Sequence, residues 1–324
     1  MRKILFFTLL LSFPSLVFSQ YRKELGIMIG GTNYLGELGG KEKTRRDFIL
    51  DMKLGQTRDN LGIYYRYKIR PRIFVSGTFN QGILRGADTL SLNPGRNGRR
   101  LDFKNNILEL AVQGEYAFYQ TNNMKGGGRG GSRKDFRAYV AGGVGVFHSN
   151  PKGTNADGKW IELRPLGTEG QGINGKKVYP VWNWAIPLSA GFNYTLNREI
   201  RLGLELGWRT TFTDYIDDVS TVYIDTNIWS KKTNKAERIY FYDKSDKTGF
   251  LSEDGGVAAV PANYGYDYGR GLAQKRGDPT HKDSYMFLQV KAGYVFKGKN
   301  KFYRNRSSYV SRSKYKKRKV RAKF

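Results

Sequence analysis

From Glu199 to Arg209 the chain reads Glu-Ile-Arg-Leu-Gly-Leu-Glu-Leu-Gly-Trp-Arg, with apolar residues at every even position and charge or glycine at every odd one. A period of two is the mark of a β-strand with one greasy and one polar face. Arg201, Glu205 and Arg209 share one face, and Ile200, Leu202, Leu204, Leu206 and Trp208 share the other. Neither water nor a dry core suits both faces. A transmembrane β-barrel does, with lipid against the apolar row and a polar lumen behind it.

Seven further segments alternate in the same way: Glu24 to Asn33, Leu61 to Lys68, Arg72 to Gln81, Asn106 to Phe118, Phe136 to Phe147, Trp184 to Tyr194 and Tyr285 to Phe296. In the fourth, Leu108, Leu110, Val112, Tyr116 and Phe118 oppose Glu109, Gln113 and Glu115. The connections alternate too. Ile69 to Pro71 and Leu196 to Arg198 are tight turns, while Tyr34 to Asn60, Ile83 to Lys104, His148 to Asn183 and Thr211 to Ser284 are long and polar. Short turns toward the periplasm and long loops outside are what an outer-membrane barrel requires. Tyr119 to Asp135, with Gly126 to Gly131 at its centre, breaks that rule and reads as a flexible insertion on the periplasmic side, or else as a sign that two strands pair differently.

The predicted fold is therefore all-β, an eight-stranded antiparallel transmembrane barrel with long outer loops. Such a barrel has an interior just wide enough for side chains to fill it. Glu24, Arg66, Lys68, Glu109, Glu115, Arg201, Glu205, Arg209 and Lys291 fall on inward positions. An unpaired buried charge is costly, so they are expected to pair into an interior charge network, and no diffusion channel is expected.

Composition changes this picture at the two ends. Met1 to Gln20 has a basic start (Arg2, Lys3), an apolar stretch from Ile4 to Leu11, and Val17 and Ser19 as small residues before a cut, so 1–19 is expected to be a signal peptide, 20–296 the barrel and 297–324 a tail. The formal net charge is +28, and Lys297 to Phe324 supplies thirteen Lys or Arg and no acid. Within that tail Lys314, Lys316, Lys317, Arg318, Lys319, Arg321 and Lys323 are candidate partner-binding residues, with a disordered solubilising tail as the alternative. Export argues against nucleic acid; anionic head groups, cell-wall polymers or an acidic protein surface are the natural targets.

There is no cysteine, hence no disulfide, thiolate metal site or thiol nucleophile. Nucleophile-elbow, phosphate-loop and zinc-protease motifs are missing, and no cofactor is expected. His148 and His281 could meet outside and bind a metal, but no ligand spacing accompanies them. Gly142, Gly143 and Gly145 lie within an apolar strand, where close approach or curvature is the simpler role than phosphate binding. Asp214, Asp217 and Asp218 could hold calcium; turn hydrogen bonding where a strand exits into a loop is the favoured reading.

Several patterns together resemble the PorG-like outer-membrane proteins of the type IX secretion system of Bacteroidetes. They are Asn33-Tyr34-Leu35-Gly36-Glu37-Leu38, Tyr64-Tyr65-Arg66-Tyr67, Asn150-Pro151 with Pro165 to Gly172, and Thr213 to Ser220, which includes Asp214, Tyr215, Asp217 and Asp218. The resemblance implies a non-enzymatic outer-membrane barrel that contacts a periplasmic ring of the PorK lipoprotein and PorN. It does not cover Lys297 to Phe324. The rival reading is an OmpA-like or OmpW-like barrel whose loops bind a surface ligand or which passes a small hydrophobic solute; an outer-membrane enzyme would need a nucleophile or carboxylate pair at the rim.

Overall fold

The computed structural model describes residues 23–38, 54–91, 94–122, 135–173, 175–196, 199–230, 232–245 and 276–296, together with four two-residue strands between 250 and 273. The expected signal peptide, the basic tail with Lys314 to Lys323, and residues 123–134 of the expected insertion lie outside the described residues.

Eight long strands carry the fold: β1 (Lys23–Leu35), β2 (Arg58–Arg70), β3 (Ile73–Ala87), β4 (Asp102–Asn122), β5 (Asp135–His148), β8 (Trp182–Thr195), β9 (Ile200–Thr211) and β14 (Ser284–Phe296). Two short strands, β6 (Lys152–Thr154) and β7 (Trp160–Glu162), extend the ladder of β4. The pairs β10 (Phe250–Leu251) with β11 (Val257–Ala258) and β12 (Tyr266–Asp267) with β13 (Leu272–Ala273) form separate hairpins. Helices α1 (Pro94–Arg99) and α2 (Lys235–Tyr242) sit in the outer segments.

Every long strand pairs antiparallel with its neighbours in sequence, and β1 pairs with β14 from Lys23↔Phe296 to Leu35↔Ser284, so the sheet closes on itself. Closure removes every sheet edge from the membrane, which a spanning sheet needs because lipid offers no hydrogen bonds. The alternation sets the faces. Along β2, Asn60, Gly62, Tyr64 and Arg66 are buried while Leu61, Ile63 and Tyr65 are exposed. Leu25, Ile27 and Ile29 of β1, Leu108, Leu110 and Val112 of β4, and Leu288 and Val290 of β14 continue the same exposed band. A closed barrel with an outward apolar band and an inward polar lining is an outer-membrane protein.

The strands are longer than the 9–11 or so residues a crossing needs. The 15 residues of β3 and 21 of β4 pair from Ile73↔Tyr116 out to Ala87↔Asp102, carrying the wall beyond the outer membrane surface. At the other end β4 and β5 stay paired to Asn122↔Asp135 with a shift between Tyr116 and Tyr119, so the two ends of the expected insertion, Tyr119 to Asn122 and Asp135, are strand and the direct β4–β5 pairing stands.

Among the close packings, Gly143 of β5 has no alternative residue. A Cβ there would lie 2.0 Å from the Val112 carbonyl oxygen of β4. The glycine lets two backbones approach on the wall, and the strand continues through it without opening a helix.

Candidate functional site

Two arrangements dominate: a lumen filled by paired charges, and a packed outer cap above it.

In the periplasmic half of the lumen, Arg66 lies between Glu24 (2.9 Å) and Glu115 (2.8 Å), and Arg201 reaches Glu24 at 2.5 Å. The Tyr64 hydroxyl donates to Glu24 at 2.6 Å. In the middle, Lys291 Nζ lies 2.6 Å from Glu205, which also accepts from Tyr139 at 2.5 Å. In the outer half, Arg209 donates through Nε and Nη2 to Glu109 at 3.1 Å each, and Tyr285 donates to the same carboxylate at 2.7 Å. Arg209 and Glu109 are both 0% exposed. Side chains thus occupy the interior through its full height; Glu24, Glu205 and Glu109 each meet a cation and a hydroxyl, and Glu115 meets Arg66.

The structure adds one cation that the sequence reading did not count. Arg137 of β5 points inward, 3% exposed, with its guanidinium 4.0 Å from the Phe74 ring centre. Its parity with Tyr139 and Ala141 was the available signal. Lys68 is half-buried rather than deep in the network, 5.9 Å from the same ring.

The outer cap is built on the strand exits. Tyr34, Leu38, Leu101, Phe103, Ile107, Phe147, Ile216, Val219 and Tyr285 form one apolar cluster that seats the loop after β9 in the barrel mouth. Leu163, Leu166 and Phe241 form a second, and Tyr223, Trp229 and Tyr242 a third, so helix α2 is held by loop residues rather than by the barrel. The long outer stretches that read as polar loops therefore carry their own small cores.

Around Thr213 to Ser220 the separate sequence patterns meet. Asp218, in a left-handed conformation (φ 68°), accepts from Thr168 at 2.5 Å and from Tyr179 at 2.7 Å. Glu169 accepts the N–H groups of Ser220 (2.9 Å) and Thr221 (3.1 Å) and pairs with Arg276 at 2.8 Å. Arg276 also donates to the Asp218 carbonyl at 2.7 Å, tying the two stretches together. Tyr215 stacks on Tyr179 at 4.6 Å and 8°. Asn105 of β4 donates to the Ile216 carbonyl at 2.7 Å and accepts from the N–H of Asn150 at 3.0 Å. Of the patterns in the resemblance, only Tyr64 to Tyr67 lies elsewhere, in the periplasmic half of β2.

The first pattern supplies the most constrained contact. The Tyr34 hydroxyl lies 2.7 Å from Asp217 Oδ2 and also contacts Asp283 Oδ1. A tyrosine has one proton to donate. With a carboxyl oxygen on each side, the one hydroxyl proton cannot serve both carboxylates at once. Burial pushes both aspartates upward, reinforced by Glu37 at Asp217 and by Asp217 and Asp214 at Asp283. Burial also raises Glu37 to about 7, and Asp214 to about 7 against a hydrogen bond from Ser220. Asp218 rises to about 6, burial outweighing Arg276. Asp217 Oδ1 accepts the Val219 N–H at 2.9 Å, a turn contact. Among the described residues no three His, Asp or Glu side chains are arranged to hold a metal ion. His148 packs on Trp182 at 5.2 Å, and His281 sits 3.4 Å from Asp278.

The sequence of residues 2–227 matches the family described as "Domain of unknown function (DUF6089)". The chain belongs to this family. No curated protein matches it in sequence. Among solved structures, this DUF6089 barrel is similar to Ail, the attachment invasion locus protein of Yersinia pestis, at 10% identity over 85% of this chain and 99% of that one, with a TM-score of 0.35. It is similar also to Neisserial surface protein A (8% identity, 86% and 100% covered, TM-score 0.36) and to OprG of Pseudomonas aeruginosa (10% identity, 86% and 99% covered, TM-score 0.32).

Proposed function

We propose that this DUF6089 barrel is a non-enzymatic component of the type IX protein secretion machinery, anchoring or contacting its periplasmic ring. One observation carries the reading: Asn33 to Leu38, Pro165 to Gly172 and Thr213 to Ser220, far apart in sequence, converge on one cluster at the outer mouth through Tyr34–Asp217, Thr168–Asp218 and Glu169–Ser220. Packed contacts among all three stretches support reading them as one inherited unit. The filled lumen supports an anchor over a conduit, because moving a solute would mean separating buried pairs such as Arg209–Glu109.

In this reading the lipid-facing rows hold the protein in the bilayer, the interior pairs stiffen it, and periplasmic segments recruit the partners. The PorK-like lipoprotein and PorN-like protein implied by the resemblance are those partners. The basic tail, with Lys314, Lys316, Lys317, Arg318, Lys319, Arg321 and Lys323, is the contact, since β14 ends at the periplasmic rim with Phe296 opposite Lys23.

The test is a mild-detergent pull-down of tagged protein from outer membranes, with mass spectrometry of what accompanies it, for the full chain and for a chain ending at Phe296. Recovery of ring proteins with the full chain and their loss on truncation, with insertion intact, is the expected result. An unchanged complex after truncation removes the tail from the mechanism. Absence of ring proteins from the folded full chain overturns the secretion reading in favour of a barrel whose outer loops bind a surface ligand.

A further inference from the structure

On the outward wall, β5, β8, β9 and β14 enclose a groove of about 650 Å3. Its floor is Ala190 together with Met286, which shares the outward row of Leu288 and Val290 yet is only 4% exposed. Leu188, Leu206 and Trp208 form its walls. At the outer end stand Thr210 and Ser284, directly opposite in the β9–β14 register, and the Trp208 indole N–H donates to Thr210 Oγ1 at 3.1 Å.

The recess has a cause in the sequence. The β5–β8 ladder keeps one register from Gly142↔Leu188 to Gly145↔Ala185 but skips Gly143 with Pro187 and Val144 with Ile186. Proline has no N–H to give to a ladder. Gly142 puts no side chain on this wall beside Leu188, so the wall is thin where the large residues flank it.

Length and polarity select the occupant. From the level of Thr210 to that of Leu206 is four residues, about 13 Å at roughly 3.3 Å per residue. That is close to one leaflet of a hydrocarbon core about 30 Å thick. A partner's membrane helix would need a groove of the full thickness. The polar end, Thr210 with Ser284, faces outward. A slot one leaflet deep, apolar inside and hydroxylated at its outer end is shaped for an amphiphile.

We infer that this groove binds one acyl chain of an outer-leaflet lipid, which stays with the protein while the surrounding lipid exchanges. The site does not depend on the secretion reading.

The experiment is native mass spectrometry of the full chain extracted from outer membranes in mild detergent, comparing wild type, Ala190→Phe, which fills the floor, and Leu110→Phe on the lipid-facing row of β4. Heat-modifiable gel mobility reports that each barrel is folded. Wild type and Leu110→Phe are expected to carry one lipid per protein, and Ala190→Phe at least about ten-fold less. A wild type without lipid, or equal retention by Ala190→Phe, overturns the inference. Should Ala190→Phe not fold, Leu206→Trp narrows the same groove from its wall and is read in the same way.

Discussion

Replacing Arg209 by methionine would leave Glu109 fully buried with its cation gone. The carboxylate would keep the Tyr285 hydroxyl at 2.7 Å and the Asn80 amide at 3.3 Å but lose both guanidinium hydrogen bonds. Removing one member of a buried pair costs about 3–5 kcal/mol, because the other charge stays desolvated. The contact of Arg209 with the Phe287 ring, 4.5 Å away, is lost as well. Two surviving hydrogen bonds place the expected loss near the lower end, about 3 kcal/mol, or roughly a hundred-fold in the folding equilibrium. Adding Glu109→Gln removes the stranded charge, and a neutral replacement of similar volume is often close to neutral in stability. The double variant should therefore recover about 2 kcal/mol of that loss, so the two substitutions are strongly non-additive. Reversible urea unfolding in lipid vesicles, followed by the fluorescence of the five tryptophans, measures all four members of the cycle. Independent, additive losses within about 0.5 kcal/mol would refute the reasoning and mean that water screens the lumen charges.

Other outcomes follow from particular contacts. In the cap, Glu37 and Asp214 are raised from 4.5 and 3.8 to about 7 by burial, so the stability their neutral forms lend is fully present below about pH 4 and lost as pH rises through about 7. Protection factors in Thr213 to Ser220, which remove the intrinsic rise of exchange with pH, should accordingly be lower at pH 8 than at pH 5 while the barrel strands stay protected, and equal or higher protection at pH 8 would sink the argument. Gly143→Val should abolish the heat-modifiable folded band, because its Cβ meets the Val112 carbonyl, whereas Gly77→Ala, with nothing within 4 Å of the new methyl, should fold normally. Arg276→Met strands the buried Glu169 and should loosen the cap by about 3 kcal/mol, read as local exchange around Ser220 without loss of the barrel; an unchanged exchange rate would show that the pair carries no local stability.

Much of the barrel was legible because its physics is local. A strand between lipid and a polar lumen must alternate, so parity along Leu108 to Phe118 or Glu199 to Arg209 determines which residues face which solvent, and alternating loop lengths determine which end is outside. Parity also placed Arg66, Glu109 and Arg209 inside. It could not pair them, because which cation meets which acid depends on strand stagger and on what lies across the lumen; Arg66 bridging Glu24 on β1 and Glu115 on β4 is a property of the closed cylinder.

The cap was beyond sequence reasoning for the same cause. Its stretches have no period; for Asp214, Asp217 and Asp218 turn hydrogen bonding is legible, with calcium ligation as the alternative, but not their partners across the cap. Only the tertiary structure sets the hydroxyl of Tyr34, 183 positions from Asp217, between it and Asp283, and lays Glu169 beneath the backbone of Ser220. Nor does any one strand encode the lipid-facing groove, which arises where Ala190, Trp208 and Met286 from three strands fall side by side. Sequence alone determined the alternation, the strand count and the sidedness, because each follows from one residue and its near neighbours meeting lipid or water. Pairing, the Tyr34 contacts and the groove were decided by closure, because each needs side chains that only the folded cylinder makes neighbours.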